Sequence, residues 1–315
     1  MSDDPIFTLN QRLARTVNLG NALEAPSEGE WGVFLQEEYF DRIAGAGFTA
    51  VRIPVRFSAH AGSEAPYTID PAFLARVDWA VDQANARGLT AIVDLHHYME
   101  SFTNPLAEKE RFLGIWAQLA EHFQDRPDEM VFFELLNEPN GLLVNALWND
   151  LAAETLAVVR RTNPTRPVVI GPGNWNAFDS LPGLKLPVDD RNIIVTFHYY
   201  LPFQFTHQGA DWVEGSDAWL GTPWDGTPGE TAALAADFDS VLAWAEEQGR
   251  PVFLGEFGAY QRADTASRLR WTEAVRRAAE ARGFTWGYWE FCAGFGLYDP
   301  AASAWREELL HALIP

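Results

Sequence analysis

Short apolar runs alternate with amphipathic stretches along almost the whole chain. The runs Thr16–Leu19, Ala50–Ile53, Thr90–Leu95, Val131–Leu136, Val168–Ile170, Ile193–Phe197, Val252–Leu254 and Trp286–Trp289 read as strands. Runs that are continuous rather than alternating suit strands covered on both faces, as in a parallel sheet. Between them, apolar residues recur at helical spacing over Glu37–Ala46, Pro71–Arg87, Lys109–Phe123, Ala146–Arg161, Ala232–Gln248 and Thr265–Arg282. Pro71 behind Asp70 makes a favourable helix start, and Gly88, Gly249 and Gly283 each stop a helix just before a strand. Asn174–Leu186 holds several prolines and glycines and predicts only a short helix. Eight strands alternating with helices predict an α/β fold, a single (β/α)8 TIM barrel over residues 1–315. No linker, low-complexity run or long charge block divides it.

In such a barrel the C-terminal strand ends carry the chemistry. Val131–Gly141 reads V-F-F-E-L-L-N-E-P-N-G, an apolar run that stops on Asn137, Glu138 and a proline. Val252–Phe257 repeats the design and ends on Glu256. The other ends offer Asn21 and Glu24, Arg52, His96 and His97, Trp175, His198 and Tyr200, and Trp289 and Glu290. One polar residue at a strand end ordinarily just solvates it. Enrichment at every end points to a site, and two carboxylates facing across a cleft are the equipment for cleaving a glycosidic bond.

Composition narrows the partners. Lys plus Arg number 23 against 44 Asp plus Glu, a formal charge of −21. That field repels nucleic acid and anionic membranes and suits a neutral substrate. One cysteine, Cys292, excludes an internal disulfide and a cysteine metal cluster. No run reaches the length of a membrane span. The acidic N-terminus shows no signal-peptide pattern, which leaves the compartment open between cytoplasm and export with the leader removed. Thirteen tryptophans, eight tyrosines and twenty-one phenylalanines are many for this length; many belong to the core, and several stand in loop-like segments where an indole face can stack on a sugar ring.

V-R-I-P-V, D-L-H-H-Y, L-N-E-P, F-H-Y-Y and G-E-F-G occur in an order that resembles the cellulases of glycoside hydrolase family 5. N-L-G-N-A-L-E-A-P, F-T-H-Q-G-A-D-W-V-E-G-S and Y-W-E-F-C-A-G-F-G are similar to thermophilic bacterial members that cleave β-1,4-glucan and β-1,4-mannan. The resemblance implies a retaining endo-β-1,4-glycanase with Glu138 as acid/base and Glu256 as nucleophile. Arg52, His96, Asn137, His198, Tyr200 and Trp289 match the family's other recurring active-site positions. Asn21, Glu24, His97, Trp175, His207, Trp212, Glu290 and Phe295 match sugar-contacting positions of the narrower group. The wording around Trp175, G-P-G-N-W-N, departs from that group. Neither cofactor nor metal is expected. The partner is a neutral β-linked polysaccharide or oligosaccharide, and the chain is expected to act as a monomer.

The chemistry makes specific demands. Glu256 has to be ionised, with Arg52 and the Tyr200 hydroxyl holding the anion. Glu138 has to start protonated, and the Glu256 charge is expected to raise it. Asn137 is placed to bind the sugar 2-hydroxyl and Trp289 to floor the reacting subsite, while Asn21, Glu24, His207 and Glu290 are candidates for telling glucose from mannose. Asp94, His96, His97 and His198 open a rival reading as metal ligands. Against it, Asp94 falls inside a strand and adjacent histidines at a strand end point to opposite sides. A carbohydrate-binding barrel without catalysis is the other rival, and it has no use for both carboxylates. Mannan or xyloglucan as main substrate stays open.

Overall fold

The computed structural model describes residues 4–315. Eight parallel strands close into a barrel in sequence order, each hydrogen-bonded to the next and the eighth to the first. They are β1 Arg15–Asn18, β2 Ala50–Val55, β3 Thr90–Leu95, β4 Val131–Glu134, β5 Val168–Ile170, β6 Ile193–His198, β7 Val252–Phe257 and β8 Thr285–Tyr288. The expected barrel is therefore the fold. β2, β3, β6 and β7 are buried along their full length, as continuous apolar runs require.

Helices cover the outside. Pro71–Ala86 starts on Asp70, whose side chain accepts from the Ala72 N–H. Pro105–His122 begins four residues before the expected Lys109, because Pro105 is already at a favourable first position. Pro228–Gln248 likewise starts early, on a capping box between Thr227 and Glu230. β4 loses its ladder at Glu134, two residues short of Leu136, although Leu135 and Leu136 stay buried. The segment after β5 holds only the turn Gly173–Asn176 and a 3-10 helix, Phe178–Gly183.

Several elements among the described residues escaped the sequence pattern, the short helices Met99–Thr103 and Phe203–Thr206 among them. Pro5–Asn10 and the turn after it close the N-terminal mouth, where Ile6 and Leu13 pack on Ala50, Ile92, Phe132, Val169, Ile194 and Phe253 inside the barrel. A small hairpin pairs Tyr298–Asp299 with Ala304–Trp305, and a last helix spans Glu307–Leu313. With one mouth plugged, the opposite one is left for ligands.

Candidate active site

At the C-terminal mouth the barrel floor is one hydrogen-bonded network around Arg52, wholly buried on β2. Its Nε and Nη2 donate to the two oxygens of Glu134 at 2.7 and 2.9 Å. Nη1 donates to Glu256 Oε1 at 2.7 Å and to Asn18 Oδ1 at 2.9 Å. The second Nη2 hydrogen goes to Asn137 Oδ1 at 2.9 Å. The Tyr200 hydroxyl donates to the other Glu256 oxygen at 2.8 Å. Glu256 is thus gripped at both oxygens, by a cation and by a phenol.

Local backbone aims these groups. β6 and β7 change register around His198 and between Leu254 and Phe257, so that His198 and Glu256 become ladder partners. Such bulges redirect side chains at strand ends. A Cβ on Gly255 would stand 2.5 Å from Thr196 Oγ1 and 3.1 Å from His198 Nε2, so this position takes glycine. Glu138 sits just past β4 at φ +47°, a left-handed conformation that costs a non-glycine residue energy and is found where function holds it.

Glu138 meets His198, whose Nδ1 lies 2.8 Å from Glu138 Oε1 and 3.7 Å from Glu256 Oε2. One donor atom from each of the three residues falls within 4.8 Å of the others. The Glu138 side chain keeps 27 % of its exposure and so stays reachable from the groove. Burial pushes Glu138 up to about 7, Arg52 opposes, and the charge of Glu134 adds to the rise. The expected repulsion within the pair shows on the Glu256 side, where the Glu138 charge adds to the rise, while burial and a carboxylate hidden inside β4 raise Glu138. Burial raises Glu256 too, with His198, Arg52 and the Tyr200 hydrogen bond working against it. Burial holds His198 down at about 4, so its ring is neutral.

Above this floor runs a groove of about 860 Å³. Trp289 forms its base, with its ring stacked on His96 at 5.4 Å and 8°. Gly20 admits that indole, since a Cβ there would be 2.9 Å from it. His207, Trp212 and Phe295 make an aromatic wall with Tyr260, the Trp212 and Tyr260 rings meeting edge-on at 4.9 Å. Trp31 and His97 line the groove too, their ring centroids 5.8 Å apart. Asn21 and Glu24 also line the groove, but the Glu24 carboxylate is occupied by the N–H groups of Asn21 and Ala22.

Several expectations change here. His96 and His97 both line the groove, because the ladder of β3 ends at Leu95 and its alternation no longer governs them. Glu290 does not contribute to the lining. It is fully buried and accepts from the N–H groups of Cys292, Ala293 and Phe295, building the loop that carries Phe295. Trp175 is 56 % exposed and does not line the groove; its N–H donates to the Pro139 carbonyl. Asp94, His96 and His97 do not join His198 in a metal-ligand cluster. Among the described residues the grouping that could reach one ion is Glu138, His198 and Glu256. Glu134, Trp31 and Tyr260 are not among the residues that the sequence pattern singles out. A charge inside an otherwise apolar strand was the available signal for Glu134, since it has to be paired.

Several known proteins are similar to this chain in sequence and fold. Endoglucanase H of Acetivibrio thermocellus is 40% identical over 319 residues, covering 98% of this chain and 33% of that protein. Cellulase/esterase CelE of the same organism is 29% identical, covering 90% of this chain and 35% of that one. The chain thus spans about a third of the length of these two relatives. Endoglucanase Cel5A from the hyperthermophilic Thermotoga maritima superposes with a TM-score of 0.96 at 46% identity, covering 98% of this chain and 99% of that one. Structures of that protein include complexes with cellobiose and with mannotriose. The clostridial cellulose synthase subunit Z of Clostridioides difficile superposes at 0.93 with 41% identity over 96% of this chain and 99% of that one. Residues 16–294 match the family described as Cellulase (glycosyl hydrolase family 5), and the chain belongs to that family.

Proposed function

We propose that the chain cleaves internal β-1,4-glucosidic bonds with retention of configuration, Glu138 serving as acid/base and Glu256 as nucleophile. The observation that carries this reading is the pair of carboxylates bridged by neutral His198, all within 4.8 Å, beneath an open groove. Retaining enzymes bring the two carboxyl groups to about 5–5.5 Å, whereas inverting ones leave room for a water between them.

The steps follow from the two environments. Glu138 holds a proton near neutral pH and gives it to the leaving glycosidic oxygen. Glu256 attacks the anomeric carbon as the bond to that oxygen breaks. Arg52 and Tyr200 steer the Glu256 oxygens and keep the anion available. Its charge disappears in the covalent glycosyl-enzyme, so Glu138 then ionises more readily and takes a proton from the incoming water. Asn137, tied to Arg52, faces the position of the sugar 2-hydroxyl, and Trp289 floors the reacting subsite. The barrel is proposed to act as a monomer.

Glu138→Gln and Glu256→Gln are each expected to lower kcat by roughly 10²–10⁴-fold on barley β-glucan with the melting curve retained. Azide separates the roles. With an activated aryl glycoside, Glu138→Ala should yield the β-glycosyl azide and Glu256→Ala only the α-azide; the reverse pattern would exchange the assignments.

A second reading adds mannan to the substrates. The 46%-identical endoglucanase has been solved with mannotriose, and stacking on indole faces is indifferent to the 2-hydroxyl orientation. Trp212→Ala should weaken cellohexaose and mannohexaose alike, while His207→Ala should change their ratio. Cleavage of one hexaose alone would leave the endo-glycosidase and remove the dual specificity.

A further inference from the structure

A guanidinium has five N–H donors. Those of Arg52 are all committed, two to Glu134 and one each to Glu256, Asn18 and Asn137. Asp94 receives none of them, although its Oδ2 lies only 3.0 Å from Nη2. This side chain is wholly buried in β3, directly beside Glu134 in the ladder with β4. Its one hydrogen bond joins Oδ2 to His96 Nδ1 at 2.6 Å. Oδ1 is buried with no hydrogen-bond partner among the described residues. A carboxylate anion placed so would be buried, poorly hydrogen-bonded and next to a like charge, each of which favours the neutral form.

We propose that Asp94 works as a neutral carboxylic acid, a positioning residue whose O–H donates from Oδ2 to His96 Nδ1. His96 is thereby fixed as the tautomer with its proton on Nε2, a donor for a sugar hydroxyl. The charge of Arg52 is left to Glu134 and Glu256. The titratable and charged groups that act on Asp94 are Arg52 from β2, His96 beyond its own strand, and Glu134 and Glu138 from the β4 end; one step further, His198 from β6 acts on His96 and Glu134, and Glu256 from β7 pairs with Arg52. Burial pushes Asp94 up to about 7, with Arg52 opposing and Glu138 adding to the rise. Burial, then Arg52 and His198, keeps His96 well below the usual imidazole range, so the ring does not take the proton over.

The direct test is NMR on the unaltered protein with ¹³C-labelled aspartate and ¹⁵N-labelled histidine, using Asp94→Asn to assign the signal. At about pH 6, well above the value of an ordinary aspartate, the Asp94 carboxyl carbon should still resonate as the acid. His96 should carry its proton on Nε2. A carboxylate signal there, with the proton on His96 Nδ1, would overturn the proposal. The kinetic test rests on the glycosidase reading above. An Asn side chain can still donate an N–H to Nδ1, so Asp94→Asn should keep kcat/KM at pH 6 within about threefold. Asp94→Leu, of similar size without the donor, should lose roughly tenfold or more. The alkaline limb of the wild-type profile should be steeper than one ionisation allows, and Asp94→Asn should reduce it to one. Equal limbs, or Asp94→Asn as impaired as Asp94→Leu, would count against the idea. Inactivity of the wild type on every glycan, with the NMR signature intact, would instead remove the glycosidase reading and leave Asp94 neutral.

Discussion

At the scale of single residues, the two glutamates were legible because each follows an apolar run and breaks it. Glu134 and Asp94 were harder, since they sit inside such runs and read as tolerated impurities. Glu134 is paired with Arg52 under the catalytic pair, and Asp94 lies beside it, hydrogen-bonded to His96. Ladder register, which a single sequence does not state, places Asn18 beside Arg52 and Asp94 beside Glu134. The Glu256 anion depends on this network and on one phenol. In Tyr200→Phe the hydrogen bond to Glu256 Oε2 is lost, so the carboxyl is expected to rise further. The acid limb of the kcat/KM profile should move to higher pH, with kcat falling roughly ten- to hundredfold. A pH–rate profile of the variant checks this, and an unmoved limb would mean that the phenol does not govern Glu256.

At the scale of elements, strand positions were readable from the apolar runs to within three residues, whereas the irregular elements were not. The turn after β5 places Asn174, Trp175 and Asn176 all at positive φ. No periodicity announces such a turn, and it leaves Trp175 exposed rather than in the groove. The bulges of β6 and β7 were equally silent, because a bulge changes the direction of side chains without changing the pattern of apolar residues. Gly255 marks the tightest of these places. Gly255→Ala would drive a methyl into Thr196 and His198, displacing the ring that bridges the two carboxylates. Overpacking of this kind costs about 1–3 kcal/mol. Thermal melts should show the loss, and kcat should drop more than KM rises because the groove walls are untouched. Wild-type kcat in a normally folded variant would mean that the neighbours yield without moving His198.

At the scale of the whole molecule, pH should set stability through the groups that surround the groove. Burial pushes Glu24 up to about 8 and Glu290 and Glu138 up to about 7, despite backbone N–H groups on the first two that favour the anion. The folded chain therefore keeps protons that the unfolded chain has released above about pH 4.5. Stability contributed in this way is lost as pH rises toward those folded values. The buried histidines act on the other side. Burial holds His97 down at about 2 and His198 and His207 at about 4, so they penalise folding only below about pH 6.5, where the unfolded rings take up protons. Above that point the histidine effect is constant and the carboxyl effect stands alone. The formal charge of −21 pushes the same way, since repulsion grows as the last carboxyls ionise. The melting temperature should thus be highest in weakly acidic buffer and fall by several degrees between about pH 6.5 and 8.5. Salt separates the two contributions. High ionic strength screens the surface repulsion but not the buried protons, so part of the fall should persist in concentrated sodium chloride. A melting temperature that is flat across this range in both buffers would mean that Glu24, Glu138 and Glu290 titrate in the folded chain as they do in the unfolded one.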